Sequence, residues 1–206
     1  MRLGTWLREQ ATRLPGAGRP PSPQLRKTRL IVLDVDVTGI DPRKDYATGV
    51  AMLVIEHGEF CLDALSYCPI APPGRPPTHN AEWREHYRAL VDSIADSPVL
   101  TYNARFVKHM IKQAAKVHDL PLPYGVWIDI ASVLYGALGN TGNEIESMRR
   151  WQERIKTKAV QKHSATADVY VLAQTLQALL AYCEDVGITT LDDLRRAQNA
   201  RVLLRG

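Results

Sequence analysis

The stretch LIVLDVD, residues 30–36, decides how the rest of the chain is read. A short, almost unbroken apolar run is the pattern of a buried strand. Two acids, Asp34 and Asp36, interrupt it at its end. Strand side chains alternate, so both carboxylates share one face, with their Cα atoms about 6.6 Å apart along the strand. In a segment this apolar the pair would repel and lose solvation. A shared divalent cation relieves both costs, which is the functional reading of the spacing. The structural reading is a pair of acids solvated at a strand end or capping the next element.

Working outward from that strand, Thr38 to Asp45 is a polar loop. Ala47 to Glu56 and Glu59 to Tyr67 are rich in β-formers and meet at His57-Gly58, a hairpin turn signal. Pro69 to Pro77 contains five prolines and reads as a loop. A helix is predicted over Asn80 to Ala95, with Trp83, Tyr87, Leu90, Val91 and Ile94 on one stripe. A short strand at Pro98 to Tyr102 leads into a helix from about Ala104 to His118. Trp127 to Ile130 reads as another short strand running into a helix that ends near Leu138. Glu144 to Lys158 is a basic helix, and Ser164 to Cys183 is the clearest helix, striped by Val169, Leu172, Leu176, Leu179 and Cys183. A hairpin followed by alternating helices and strands predicts an α/β domain, a mixed sheet flanked by helices.

The composition is that of a globular domain: 206 residues, 45% hydrophobic and 23% charged. It excludes collagen-like, disordered and disulfide-scaffold classes. The three cysteines, Cys61, Cys68 and Cys183, have no C-x-x-C spacing, which suits a reducing cytoplasm and argues against a structural zinc. No apolar run approaches the roughly 20 residues of a membrane span, and residues 1–29 build no signal-peptide core. The net charge of +4 is unevenly placed. Residues 1–29 hold seven Lys or Arg against Glu9 alone, a net of +6, so the other 177 residues sum to −2. Residues 1–28 are therefore expected to be a basic arm followed by a Pro/Gly linker. Leu3, Trp6, Leu7 and Leu14 lie near one helical face of that arm. It suits a protein partner or an anionic membrane surface, or else packs on its own domain. Residues 29–185 form the main domain and 186–206 a helical extension. With so neutral a body, nucleic-acid binding has to be argued from a site rather than from bulk charge.

Two further segments carry chemistry. His163 and Asp168 open the last long helix, where five-residue spacing brings them together only if His163 lies on the lead-in turn. That arrangement suits a base above a metal ligand, and equally a capping turn. Asn103 and Phe106 follow the Pro98–Tyr102 strand. They read either as a helix cap and a core residue or as contacts to a nucleotide.

In this order and spacing the segments resemble the DEDDh 3′–5′ exonucleases, the family of the proofreading epsilon subunit of bacterial DNA polymerase III and of RNase T. That family's D-x-E-T-T-G stands here as Asp34-Val35-Asp36-Val37-Thr38-Gly39. Its H-N-x-x-F-D stands as Tyr102-Asn103-Ala104-Arg105-Phe106-Val107, and its H-x4-D as His163 to Asp168. The likeness covers about residues 29–185, and Gly187-Ile188-Thr189-Thr190-Leu191 looks like the family's continuation. The resemblance implies a ribonuclease H-like mixed five-stranded sheet flanked by helices, and phosphodiester hydrolysis with two Mg²⁺ or Mn²⁺ ions roughly 3.5–4 Å apart. It implies that Asp34 bridges the ions, that Asp36 and Asp168 hold the first, and that His163 takes a proton from the attacking water. Thr38, Gly39, Asn103 and Phe106 would then seat the 3′ nucleotide of single-stranded DNA or RNA. Two positions depart from the pattern: Asp36 is one methylene shorter than the family's Glu, and Val107 replaces an acid. Both point to weakened or lost catalysis unless Asp41, Asp45 or Asp129 compensates.

Two other functions start from the same residues. LDVDVT also fits the D-x-D-x-T opening of haloacid-dehalogenase-like phosphatases, with Thr101 and Lys108 or Lys112 as later motifs. Against it, that fold needs a helix or cap after its first strand, where residues 47–67 read as a β-hairpin. It also needs a paired-acid motif after a late strand, whereas Asp192-Asp193 lies in a helical context. The remaining possibility is a non-catalytic module on the exonuclease scaffold, binding nucleic acid or a protein.

Overall fold

The computed structural model describes residues 22–73, 82–138, 143–155 and 164–203. The basic arm at residues 1–14, most of its linker and His163 lie outside the described residues.

The central strand β1 (Leu30–Val37) lies between β2 (Ala47–Glu56) and β4 (Val99–Thr101), in a five-stranded sheet of order β3-β2-β1-β4-β5. β2 and β3 (Glu59–Pro69) form the expected hairpin, antiparallel to each other, and β2 runs antiparallel to β1. His57 and Gly58 both take positive φ, 54° and 83°, the backbone twist that a two-residue hairpin turn requires. β4 and β5 (Trp127–Asp129) run parallel to β1, reached through helices α1 (Trp83–Ile94) and α2 (Ala104–His118). Four helices follow: α3 (Ile130–Ala137), α4 (Glu144–Arg154), α5 (Ala165–Asp185) and α6 (Leu191–Leu203). This is the α/β, ribonuclease H-like arrangement implied above. The hairpin at residues 47–67 stands where the phosphatase reading needs a helix or cap, and Asp192 and Asp193 lie in the first turn of α6.

Strand alternation sorts the core into two layers. Leu30, Val32, Ala51, Leu53, Leu100 and Ile128 face the layer made by α3, α4, α5 and α6. Ile31, Leu33, Val35, Val50 and Val99 face α1 and α2. Asp34 and Asp36 continue the Leu30–Val32 side of β1, so both emerge where α5 crosses the sheet. Burial on both faces is why β1 and β2 read as nearly continuous apolar runs.

The C-terminal helix is part of the core. Leu194 and Ala197 are buried among α3 and α5 residues, and the N–H of Leu191 donates to the carbonyl of Pro23 at 3.0 Å. α3 and α6 cross at Gly136, where an added Cβ would overlap the carbonyl oxygen of Ala197. Backbone has little room to yield, so Gly136→Ala should cost about 1–3 kcal/mol. Thermal unfolding checks this; a variant as stable as the parent would mean that α6 does not sit this close to α3.

Candidate active site

Asp34 ends the apolar part of β1 half-buried, and its carboxyl is pushed up to about 7. Burial is the main cause, and the negative charges of Asp168 and Asp36 add to it. A hydrogen bond from the Val35 N–H offsets part of the effect. Asp168 lies one turn into α5, where its N–H donates to the Ser164 carbonyl at 2.8 Å. Asp34 and Asp168 line one cleft of about 370 Å³. Tyr102 borders it at the end of β4, and α4 supplies Ile145, Met148, Arg149 and Gln152. Those four α4 residues fall at i, i+3, i+4 and i+7, a single helical stripe. Arg149 pairs with Glu146 and Glu153, and Arg150 with Glu146. These arginines hold the Glu146 carboxyl down at about 2. Of the charged groups among the described residues, only Asp34, Asp168 and Arg149 line the cleft itself, beside the apolar Ile145, Met148, Val171 and Leu172.

Asp36 is placed differently. Its Oδ1 accepts the N–H of Ala165, the first residue of α5, at 2.7 Å. The Tyr67 hydroxyl from β3 lies over Gly49 of β2, the cross-strand partner of Asp36, where a Cβ would overlap the tyrosine ring and hydroxyl. Burial first, and then Asp36, push the Tyr67 phenol up to about 12.

The other sequence-predicted residues are largely occupied with backbone. Thr38 Oγ1 donates to Asp45 at 2.9 Å and accepts from the Tyr46 N–H at 3.0 Å. Asp45 also accepts the Asp41 N–H at 2.8 Å and lies against Gly39, where a Cβ would collide with it. Asp41 accepts the Arg43 N–H at 3.0 Å. Both acids therefore shape the loop after β1. Asn103 adopts left-handed backbone, φ 55° and ψ 60°, and caps α2 by accepting the Phe106 N–H at 3.3 Å. Phe106 is half-buried against the α1–α2 layer, and Val107 is buried in it at 2% exposure. Asp129 accepts N–H groups from Ala104 at 2.7 Å, Ala131 at 3.0 Å and Ser132 at 3.3 Å, joining the starts of α2 and α3. None of the three acids proposed to compensate for Val107 has an uncommitted carboxylate.

Among the described residues, no three His, Cys, Asp or Glu side chains gather closely enough to hold a metal ion. The oxygen donors of Asp34 and Asp168 are the hard type that a divalent cation takes, and a cation there would offset the burial that raises Asp34. Val107, where the resemblance described above expects an acid, is buried in the α1–α2 layer and supplies no oxygen donor. Among the described residues, no helix is long and apolar enough to cross a membrane. Tyr67 and the α4 stripe are the site residues that sequence reasoning missed. The stripe was visible as helical spacing, whereas the place of Tyr67 depends on strand register.

No protein-family profile and no curated protein matches the chain. Solved structures do. Escherichia coli exonuclease I in complex with a dT13 oligonucleotide is 15% identical with a TM-score of 0.58, over 78% of this chain and 42% of that one. Exonuclease X in complex with 5′ overhanging duplex DNA is 15% identical, TM-score 0.53, over 80% of this chain and 99% of that one. Cell-death related nuclease 4 is 12% identical, TM-score 0.58, over 80% of this chain and 67% of that one. The matched region is less than half the length of exonuclease I. At these identities the likeness is one of fold: the chain has the α/β fold of these exonucleases.

Proposed function

We propose that this chain is a DEDDh-like 3′–5′ exonuclease with a reduced metal site, removing nucleotides slowly from single-stranded 3′ ends of DNA or RNA. The observation that carries this is the half-buried Asp34, held beside the charge of Asp168 in a cleft at the end of the central strand. One divalent cation, Mn²⁺ more readily than Mg²⁺, is held by Asp34 and Asp168. When bound, it supplies charge stabilisation for the phosphoryl oxygens. Mg²⁺ is the poorer occupant because it demands near-ideal octahedral geometry from a site with few protein ligands. The chain's own groups do the rest. Tyr102, 37% exposed at the cleft, offers a face on which the terminal base stacks. The loop folded around Asp45 presents Thr38 and Gly39 to the sugar and phosphate. His163, five residues before Asp168, is the base that takes a proton from the attacking water.

The buried Val107 favours a second reading, a module of the same fold that binds 3′ ends without cutting them. Incubating 5′-labelled single-stranded DNA and RNA with the protein in Mn²⁺ or Mg²⁺ separates the two. A ladder of 3′-shortened products, stronger in Mn²⁺ and lost in Asp168→Asn, supports hydrolysis. Retained binding with no shortening in either metal supports the binding module.

A further inference from the structure

The first turn of α5 has an unusual cap. Its own N-cap residue, Ser164, makes no side-chain capping bond. The N–H of Ala165 is instead satisfied by Asp36, 129 residues earlier in the chain, at 2.7 Å. A carboxylate is the favoured charge at a helix N-terminus. Asp36 also sits where the register of β1 against β2 shifts, between Asp36 and Val37. Its cross-strand partner is Gly49, and the Tyr67 hydroxyl lies directly over that glycine, on the Asp36 side of the sheet edge. A side chain at position 49 would displace that hydroxyl. Three sheet strands and one helix thus meet around a single carboxylate, one helical turn before Asp168.

We propose that Asp36 is a positioning residue: with Tyr67 and Gly49 it latches the start of α5 to β1 and so sets Asp168 beside Asp34, and it is not itself a cation ligand. The shorter side chain suits this role. An aspartate on β1 reaches the Ala165 N–H directly, with one Oδ already spent on that bond. The proposal rests on the cation reading of Asp34 and Asp168, and deepens it by dividing the three acids into two ligands and one latch.

The test pairs amide hydrogen exchange over residues 165–168 with Mn²⁺ binding followed by electron paramagnetic resonance. Asp36→Asn keeps an acceptor for Ala165 and loses the charge. It should hold amide protection and Mn²⁺ affinity within about threefold of wild type. Asp36→Ala loses the acceptor. Its amides should exchange about tenfold faster, and its Mn²⁺ affinity should fall about 10-fold or more, as for loss of a residue that orients a ligand. Tyr67→Phe keeps the ring and the packing, and should move both readouts the same way by a smaller factor. It also stands in if Asp36→Ala does not fold. Loss of Mn²⁺ binding in Asp36→Asn as complete as in Asp168→Asn, with amide protection intact, would make Asp36 a direct ligand and overturn the proposal. Unchanged protection in both Asp36→Ala and Tyr67→Phe would overturn it as well. A wild-type protein that binds no Mn²⁺ defeats the cation reading alone, and the exchange data still decide whether the latch exists.

Discussion

Asp34→Asn should stabilise the metal-free protein at pH 8 by about 2–4 kcal/mol. The Asp34 carboxyl is raised from 3.8 to about 7, mainly by burial and then by Asp168 and Asp36. A carboxyl that binds its proton more tightly in the folded state favours folding while protonated. Stability from this group is therefore present at low pH and declines as pH rises from about 4 to about 7. At about 1.4 kcal/mol per tenfold the full effect is about 4 kcal/mol, and relaxation around the ionised group brings it lower. The asparagine variant should lack this decline, so the two unfolding curves should separate at pH 8 and converge near pH 4. Adding Mn²⁺ at pH 8 should stabilise the wild type and leave Asp34→Asn unmoved. A variant less stable than wild type at pH 8 without metal would show that ionised Asp34 is not under the stress described.

Val107→Asp should carry the opposite sign. Val107 is 2% exposed in the layer with Ile31, Leu33, Met110 and Ile111. A carboxylate there loses its hydration and finds no donor, a cost of about 2–4 kcal/mol. For a chain of this size that is a fall of roughly 4–16 °C in midpoint. Position 107 is nevertheless at the right end of the sheet. β4 runs parallel to β1 with Leu100 opposite Val32, so α2 starts beside the end of β1 that carries Asp34. Millimolar Mn²⁺ should therefore return more stability to Val107→Asp than to wild type, by mass action on the folded state, and 3′-end shortening should quicken. Equal losses with and without Mn²⁺ would show that a second cation position is not rebuilt by this residue.

What was legible in the sequence follows from the range of the interactions involved. LIVLDVD and the His57-Gly58 turn are local signals, and they placed the central strand and its hairpin. The acid pair was legible as a pair because alternation along one strand is also local. Its division was not, because the neighbours of Asp36 lie at Ala165 and Tyr67, on a helix and a strand brought in by tertiary packing. Asn103 took the capping role that its position before a helix allows, and it carries no nucleotide signal of its own. Asp129 looked like a spare carboxylate. Three backbone N–H groups, one of them 25 residues away, occupy it. The α4 stripe from Ile145 to Gln152 was present in the spacing, but nothing in the sequence set it against Asp34 and Asp168, because that placement comes from tertiary packing.

The number of cations the site holds tests the central claim most directly. Titrating the full chain with Mn²⁺ under electron paramagnetic resonance should give one ion per chain, lost in both Asp34→Asn and Asp168→Asn. Two ions in wild type, or one that survives Asp168→Asn, would contradict a single-cation site built from Asp34 and Asp168.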